Sequence, residues 1–192
     1  MTNSIELAAA KTALVVIDLQ AGILARPGAP HTSADVLNRS VAMCSRFRAA
    51  GGHVVLVRVS FATDGSDVLS QPCDEPMPRA ARPAGWDVLS PALGSGERDV
   101  HITKHQWGAF YGTEMDLQLR RRGVTTLVLC GISTNFGVES TAREAWERNY
   151  ALIFAEDAMT SSDASAHAFA VKTIFPRLGR VRSTSDVLAA LA

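Results

Sequence analysis

Four short, almost wholly aliphatic runs limit what this chain can fold into: 13–17 (ALVVI), 53–59 (HVVLVRV), 125–129 (TTLVL) and 151–155 (ALIFA). A strand with one wet face alternates apolar and polar residues. Unbroken runs belong to strands buried on both faces, the condition of a parallel sheet covered by helices. Residues 100–103 and 180–181 are weaker strand candidates. Helical spacing fills the gaps. In 33–50, Val36, Leu37, Val41, Met43, Cys44 and Phe47 recur at that spacing before a Gly51-Gly52 stop. In 113–122, Thr113 with Asp116 three residues on resembles a capping box, and Gly123 ends the pattern. Residues 135–149, 164–175 and 185–191 complete the set. Strands alternating with helices imply right-handed βαβ units. The expected fold is a single α/β domain over 1–192, a three-layer α/β/α sandwich around a mostly parallel sheet. Residues 60–99 hold five of the eight prolines and no long period, as expected of a lid, an interface arm or both.

Lysine plus arginine equals aspartate plus glutamate at 19 each, so charge gives no argument for nucleic acid or a membrane surface as partner. A small-molecule substrate is the expectation. The apolar runs are far shorter than the roughly 20 residues of a membrane helix. The first twenty residues lack the basic start and apolar core of a secretory signal. Cys44, Cys73 and Cys130 form neither a metal-type pair nor an even disulfide set. A cytoplasmic location, with no metal and no cofactor, is therefore expected.

In open α/β sheets, ligands bind beyond the carboxyl ends of the strands, where strand order reverses. That rule selects Asp18 with Gln20, the stretch from Lys104, and 131–137, three segments expected to share one crevice. Asp18 ends an apolar strand, where partial burial would raise its pKa and suit acid or base work, although a loop-capping aspartate fits equally well. Lys104 could orient a substrate or balance developing negative charge. Trp107, Phe110 and Tyr111, spaced by glycines, suit one wall of a pocket or a patch over the sheet end. In the third segment a strand runs through glycine into polar residues that open a helix, whose first N–H groups favour anions. Ser133, Asn135 and Phe136 there join Gln20 and the aromatics as candidate substrate contacts, and Gly137 allows close approach.

Three stretches, VVIDLQ at 15–20, KHQWGAFYGT at 104–113 and GISTNFGVESTAR at 131–143, are similar in content, order and spacing to the signatures of the isochorismatase-like, or cysteine hydrolase, family. The resemblance spans essentially the whole chain. It implies a six-stranded sheet in the order 3-2-1-4-5-6, Asp18 and Lys104 as catalytic partners, a cis peptide at Ile132–Ser133 and assembly as a homodimer or homotetramer, for which 60–99 is the candidate interface.

Two departures matter. The family's nucleophilic cysteine falls on Gly137, which closes the acyl-enzyme route, and Cys130, seven residues earlier within a strand, is expected to be inert filler. The aspartate–histidine metal cluster that nicotinamidases carry after the second strand has no counterpart in VRVSFATDGSD. True isochorismatases in this family carry glycine at that position and need only an acid. The expected activity is therefore acid-assisted, non-covalent hydrolysis of a small ether or vinyl ether. Water-driven amide hydrolysis and a non-catalytic metabolite- or partner-binding homologue are the alternatives. Whether burial or the lysine controls the Asp18 pKa is left open, as is the use of Arg79, Arg82 or Arg98 for an acidic substrate.

Overall fold

A computed structural model describes residues 5–76 and 82–191. Six strands, β1 (Thr12–Ile17), β2 (His53–Val59), β3 (Val100–Lys104), β4 (Thr126–Ile132), β5 (Ala151–Thr160) and β6 (Arg180–Arg182), form one sheet in the order β3-β2-β1-β4-β5-β6. Every pairing is parallel rather than mostly so. Strand order reverses between β1 and β4, so the crevice predicted for an open α/β sheet opens beside the end of β1.

The helices are α1 (Ala21–Leu24), α2 (Ser33–Ala49), α3 (Met115–Arg121), α4 (Glu139–Glu147), α5 (Ala164–Phe169), α6 (Phe175–Leu178) and α7 (Thr184–Ala190), with π-helical turns at Thr134–Val138 and Ala170–Ile174. Side-chain alternation along the strands splits the core in two. Ala13, Val15 and Ile17 of β1 pack with Met115, Leu119, Ala142, Ala145 and Phe175, on the side of α3, α4 and α6. Leu14 and Val16 pack with Val36, Met43, Phe47 and Val187, on the side of α2 and α7. Both faces of β1 are fully buried, which is why its sequence reads as an unbroken apolar run.

Helix ends differ from expectation in instructive ways. The Thr113–Asp116 capping box does not form. The Thr113 hydroxyl donates back to the Ala109 carbonyl at 2.6 Å, and α3 starts at Met115. The box that does form is Ser183 with Asp186, each side chain bonding the other's backbone N–H at the start of α7. The continuous helix expected over 164–175 is α5, a π turn and the start of α6. The strand expected over 151–155 runs on to Thr160, past the charged Glu156 and Asp157. Asp157 is tolerated because its carboxylate accepts from both the backbone N–H and the hydroxyl of Thr184. Among the described residues no helix is long and apolar enough to cross a membrane.

Residues 60 and 86–90 of the 60–99 segment are held to the sheet end. Ala21 N–H donates to Val88 O, Gly22 N–H to Trp86 O and Ser90 N–H to Leu19 O, so residues 86–90 run beside the start of α1. The Ser60 hydroxyl bonds Asp87 at 2.7 Å.

Candidate active site

The three strand-end segments meet as expected, at the floor of a cleft of about 1450 Å³. β1 stops at Ile17, and Asp18 turns into the left-handed region at φ 55°, a conformation aspartate tolerates better than most residues. Its N–H still bonds Val57 O at 2.9 Å. The backbone is thus anchored while the carboxylate faces the cleft, 4% exposed. From the end of β3, Lys104 Nζ donates to Asp18 Oδ2 at 2.7 Å and to Gln106 O at 3.1 Å, itself 1% exposed. One of its three donors is left for a water or a substrate.

Burial answers the question that sequence left open. Loss of hydration pushes the Asp18 carboxyl up to about 6, outweighing the opposing pull of the Lys104 ammonium. Asp18 Oδ1 is buried without a hydrogen-bond partner. A buried, unpaired carboxyl oxygen is costly unless it carries or meets a proton, so Oδ1 is the oxygen on which a proton on Asp18 would sit.

Gly137 lies in the π turn that leads into α4, and its carbonyl accepts from the Thr141 hydroxyl at 2.7 Å. A Cβ placed on Gly137 would stand 3.2 Å from Asp18 Oδ2 but 2.9 Å from Ile17 Cγ2. A side chain here would aim at the aspartate, as the resemblance implies for a nucleophile. The packing of Ile17, however, has closed over the place it would need. The Ile132–Ser133 peptide is cis, as the resemblance implied, and Ser133 faces the cleft.

The aromatic wall is narrower than expected. Trp107 and Phe136 face the cleft and each other, ring centroids 4.9 Å apart. Phe110 does not line it. It is 4% exposed in the core beside Tyr150, and its N–H is held by Glu144 of α4 at 3.1 Å. Tyr111 is 75% exposed and lies outside the cleft. Gln20 is fully buried, with its amide bonded at both ends to the Val59 backbone at 2.9 Å, so it clamps β1 to β2 rather than facing a ligand. Asn135 also lies off the cleft lining, its side chain accepting from the Ser161 hydroxyl at 2.7 Å.

The opposite wall comes largely from 60–99. Phe61 and Trp86 stack at 6.1 Å, and the Arg82 guanidinium lies 4.6 Å and 4.9 Å from their centroids. Arg82 thus lines the cleft, as does Arg26. Arg98 is exposed outside the cleft, near His53 at the start of β2, whose protonation is disfavoured first by burial and to a lesser extent by Arg98. Arg79 falls outside the described residues. Sequence reasoning missed Phe61, Trp86 and Gln106 as wall residues. Only the aromatic content of an otherwise proline-rich segment hinted at the first two. Cys130 is fully buried and its thiol is pushed far above the range of a nucleophile by burial, as filler should be. The exposed Cys73, by contrast, lines the cleft.

The chain matches the isochorismatase domain model over residues 12–186. The isochorismatase family protein YecD of Escherichia coli O157:H7 is 52% identical over 187 residues, covering 97% of this chain and all of that one. The solved structure of an isochorismatase family protein from Burkholderia thailandensis superimposes with a TM-score of 0.93 at 45% identity, covering 98% of this chain and 99% of its own. A shorter likeness, 40% identity over 106 residues, links 54% of this chain to 40% of the ureidoacrylate amidohydrolase RutB of Methylobacterium radiotolerans.

Proposed function

The chain belongs to the isochorismatase family of hydrolases, and from that premise we propose that it cleaves a small ether or vinyl ether by acid-assisted hydrolysis without a covalent intermediate. The observation that carries this reading is the buried Asp18–Lys104 pair on the cleft lining, with Asp18 Oδ1 left unpartnered and with Gly137 offering no nucleophile. Asp18 donates its proton to the terminal vinyl carbon, leaving an oxocarbenium ion. Water adds to that ion and releases a proton that restores the acid. The hemiketal then collapses to a ketone and an alcohol, so the net change is addition of one water across the ether. Lys104 holds the Oδ2 side of the carboxyl in place and offers its remaining donor to the water or to a substrate carboxylate. Arg82 is the second cationic contact for a substrate acid group.

A second reading is supported by the partial likeness to RutB: water-driven hydrolysis of an amide, with ionised Asp18 as general base. The two readings have opposite pH dependence because they need opposite forms of one carboxyl. If Asp18 is the acid, kcat/KM is level below pH 5, falls through about 6, and at pH 7 stands near one tenth of its plateau. If Asp18 is the base, kcat/KM rises through the same region. Profiles from pH 4.5 to 8 on a panel of vinyl ethers and small amides decide between them. Turnover of the ethers that climbs with pH would sink the acid mechanism.

Thiol alkylation gives an independent test, with a condition set by the structure. Because Cys73 lines the cleft, a reagent there could block entry without touching chemistry. In Cys73→Ser, iodoacetamide is expected to leave turnover within a factor of about two, since the remaining thiols of Cys44 and Cys130 are buried. Full inactivation of that variant, prevented by substrate, would mean a cysteine takes part after all.

A further inference from the structure

Off the lining of the Asp18 cleft, three side chains from three elements converge. They are His31 from the loop before α2, Glu156 of β5 and His167 of α5, and one ligand atom of each lies within 4.8 Å of the other two. We propose that this cluster is a structural site for a divalent transition-metal ion of the zinc class, pinning the 27–31 loop and α5 to β5.

The geometry suits an ion better than an ion pair alone. Two imidazoles on one tetrahedral zinc at about 2.1 Å place their ring centroids about 5 Å apart and their ligand atoms about 3.4 Å apart. The His31 and His167 rings are 5.8 Å apart and nearly perpendicular, and His31 Nε2 lies 3.8 Å from Glu156 Oε2. Closure around an ion therefore asks for about 0.4 Å at the His31–Glu156 pair and at most about 1.4 Å between any two of the three ligand atoms, which lie within 4.8 Å of one another. His167 is 4% exposed and its Nδ1 sits 2.9 Å from the Thr134 hydroxyl. When Nδ1–H donates to that oxygen, Nε2 carries the lone pair that binds metal, the outer hydrogen bond that ligating histidines commonly make. Two imidazoles and one carboxylate form a set that zinc accepts, with the fourth position left to water at the partly exposed side of the cluster. Thr134 adjoins Ser133, so a bound ion would also steady the turn that carries Ser133 into the cleft.

The test uses the full chain without an affinity tag, stripped with chelator and titrated with zinc(II), and separately with cobalt(II) alone. One equivalent should bind, cobalt should give the visible d–d band of a low-coordinate nitrogen–oxygen site, and excess zinc should raise Tm by about 5–10 °C. His31→Asn and Glu156→Gln, both at partly exposed positions, should each weaken binding at least tenfold and lose the Tm shift. Because neither residue lies in the Asp18 cleft, these readouts are independent of turnover. Absence of binding to the unaltered chain, or equal binding by both variants, would overturn the proposal.

Discussion

Asp18→Asn is expected to lower kcat on any substrate the protein turns over by about 10²–10⁴-fold, the range carried by a positioned acid or base. The amide preserves the shape of the carboxyl and its oxygen can accept from Lys104, but the NH2 group then in the place of Oδ1 is not acidic and cannot protonate a substrate. Because Lys104 is 1% exposed, the substitution also leaves a buried ammonium without its counter-ion, a situation that costs several kcal/mol when one partner of such a pair is removed. Activity has to be read alongside thermal unfolding for that reason. The double variant Asp18→Asn/Lys104→Met removes the unpaired charge and should recover stability lost by the single one without recovering activity. If the single variant keeps more than a third of the original kcat, Asp18 is not the proton donor and both hydrolytic readings fall with it.

Much of this site was legible from the chain because it follows from strand ends. The runs read from the sequence end at 17, 103 and 129, within three residues of where β1, β3 and β4 stop, and the switch-point rule then brings Asp18, Lys104 and the 131–137 segment together. What could not be read was the direction of side chains in turns. Phe110 and Tyr111 follow Trp107 in a stretch with no helical or strand period, so nothing local says which of them faces the cleft. Phe110 turns inward because Glu144, far along the chain on α4, holds its N–H. Gln20 shows a related failure. A buried amide at a strand end reads as a ligand contact until its two hydrogen bonds to Val59 are seen to use both of its ends. The His31, Glu156 and His167 group has no motif spacing, and the strand expected over 151–155 stopped one residue short of Glu156.

Gly131→Ala is expected to abolish folding, or to destabilise by more than about 4 kcal/mol, although it adds one methyl group and touches no chemistry. Gly131 sits in β4 at φ 117°, a region closed to residues with a Cβ. An added Cβ would lie 2.1 Å from Ile17 O and 2.7 Å from Ile17 N, both backbone atoms of the neighbouring strand. No side-chain rotation relieves such a contact, so β1 and β4 would have to part at the residue before Asp18. The β4–β5 register also shifts between Leu129 and Gly131, so the glycine lies where the sheet changes course toward Ser133. Gly137→Ala differs in kind. Its contact at 2.9 Å is with the side-chain methyl Ile17 Cγ2 rather than with backbone, so overpacking against one buried side chain replaces a break between strands, and a cost of about 1–3 kcal/mol is expected. Urea unfolding of the two variants side by side separates the roles. A Gly131→Ala protein as stable as Gly137→Ala would show that the close approach of β1 and β4 is not needed to hold Asp18 at the cleft floor.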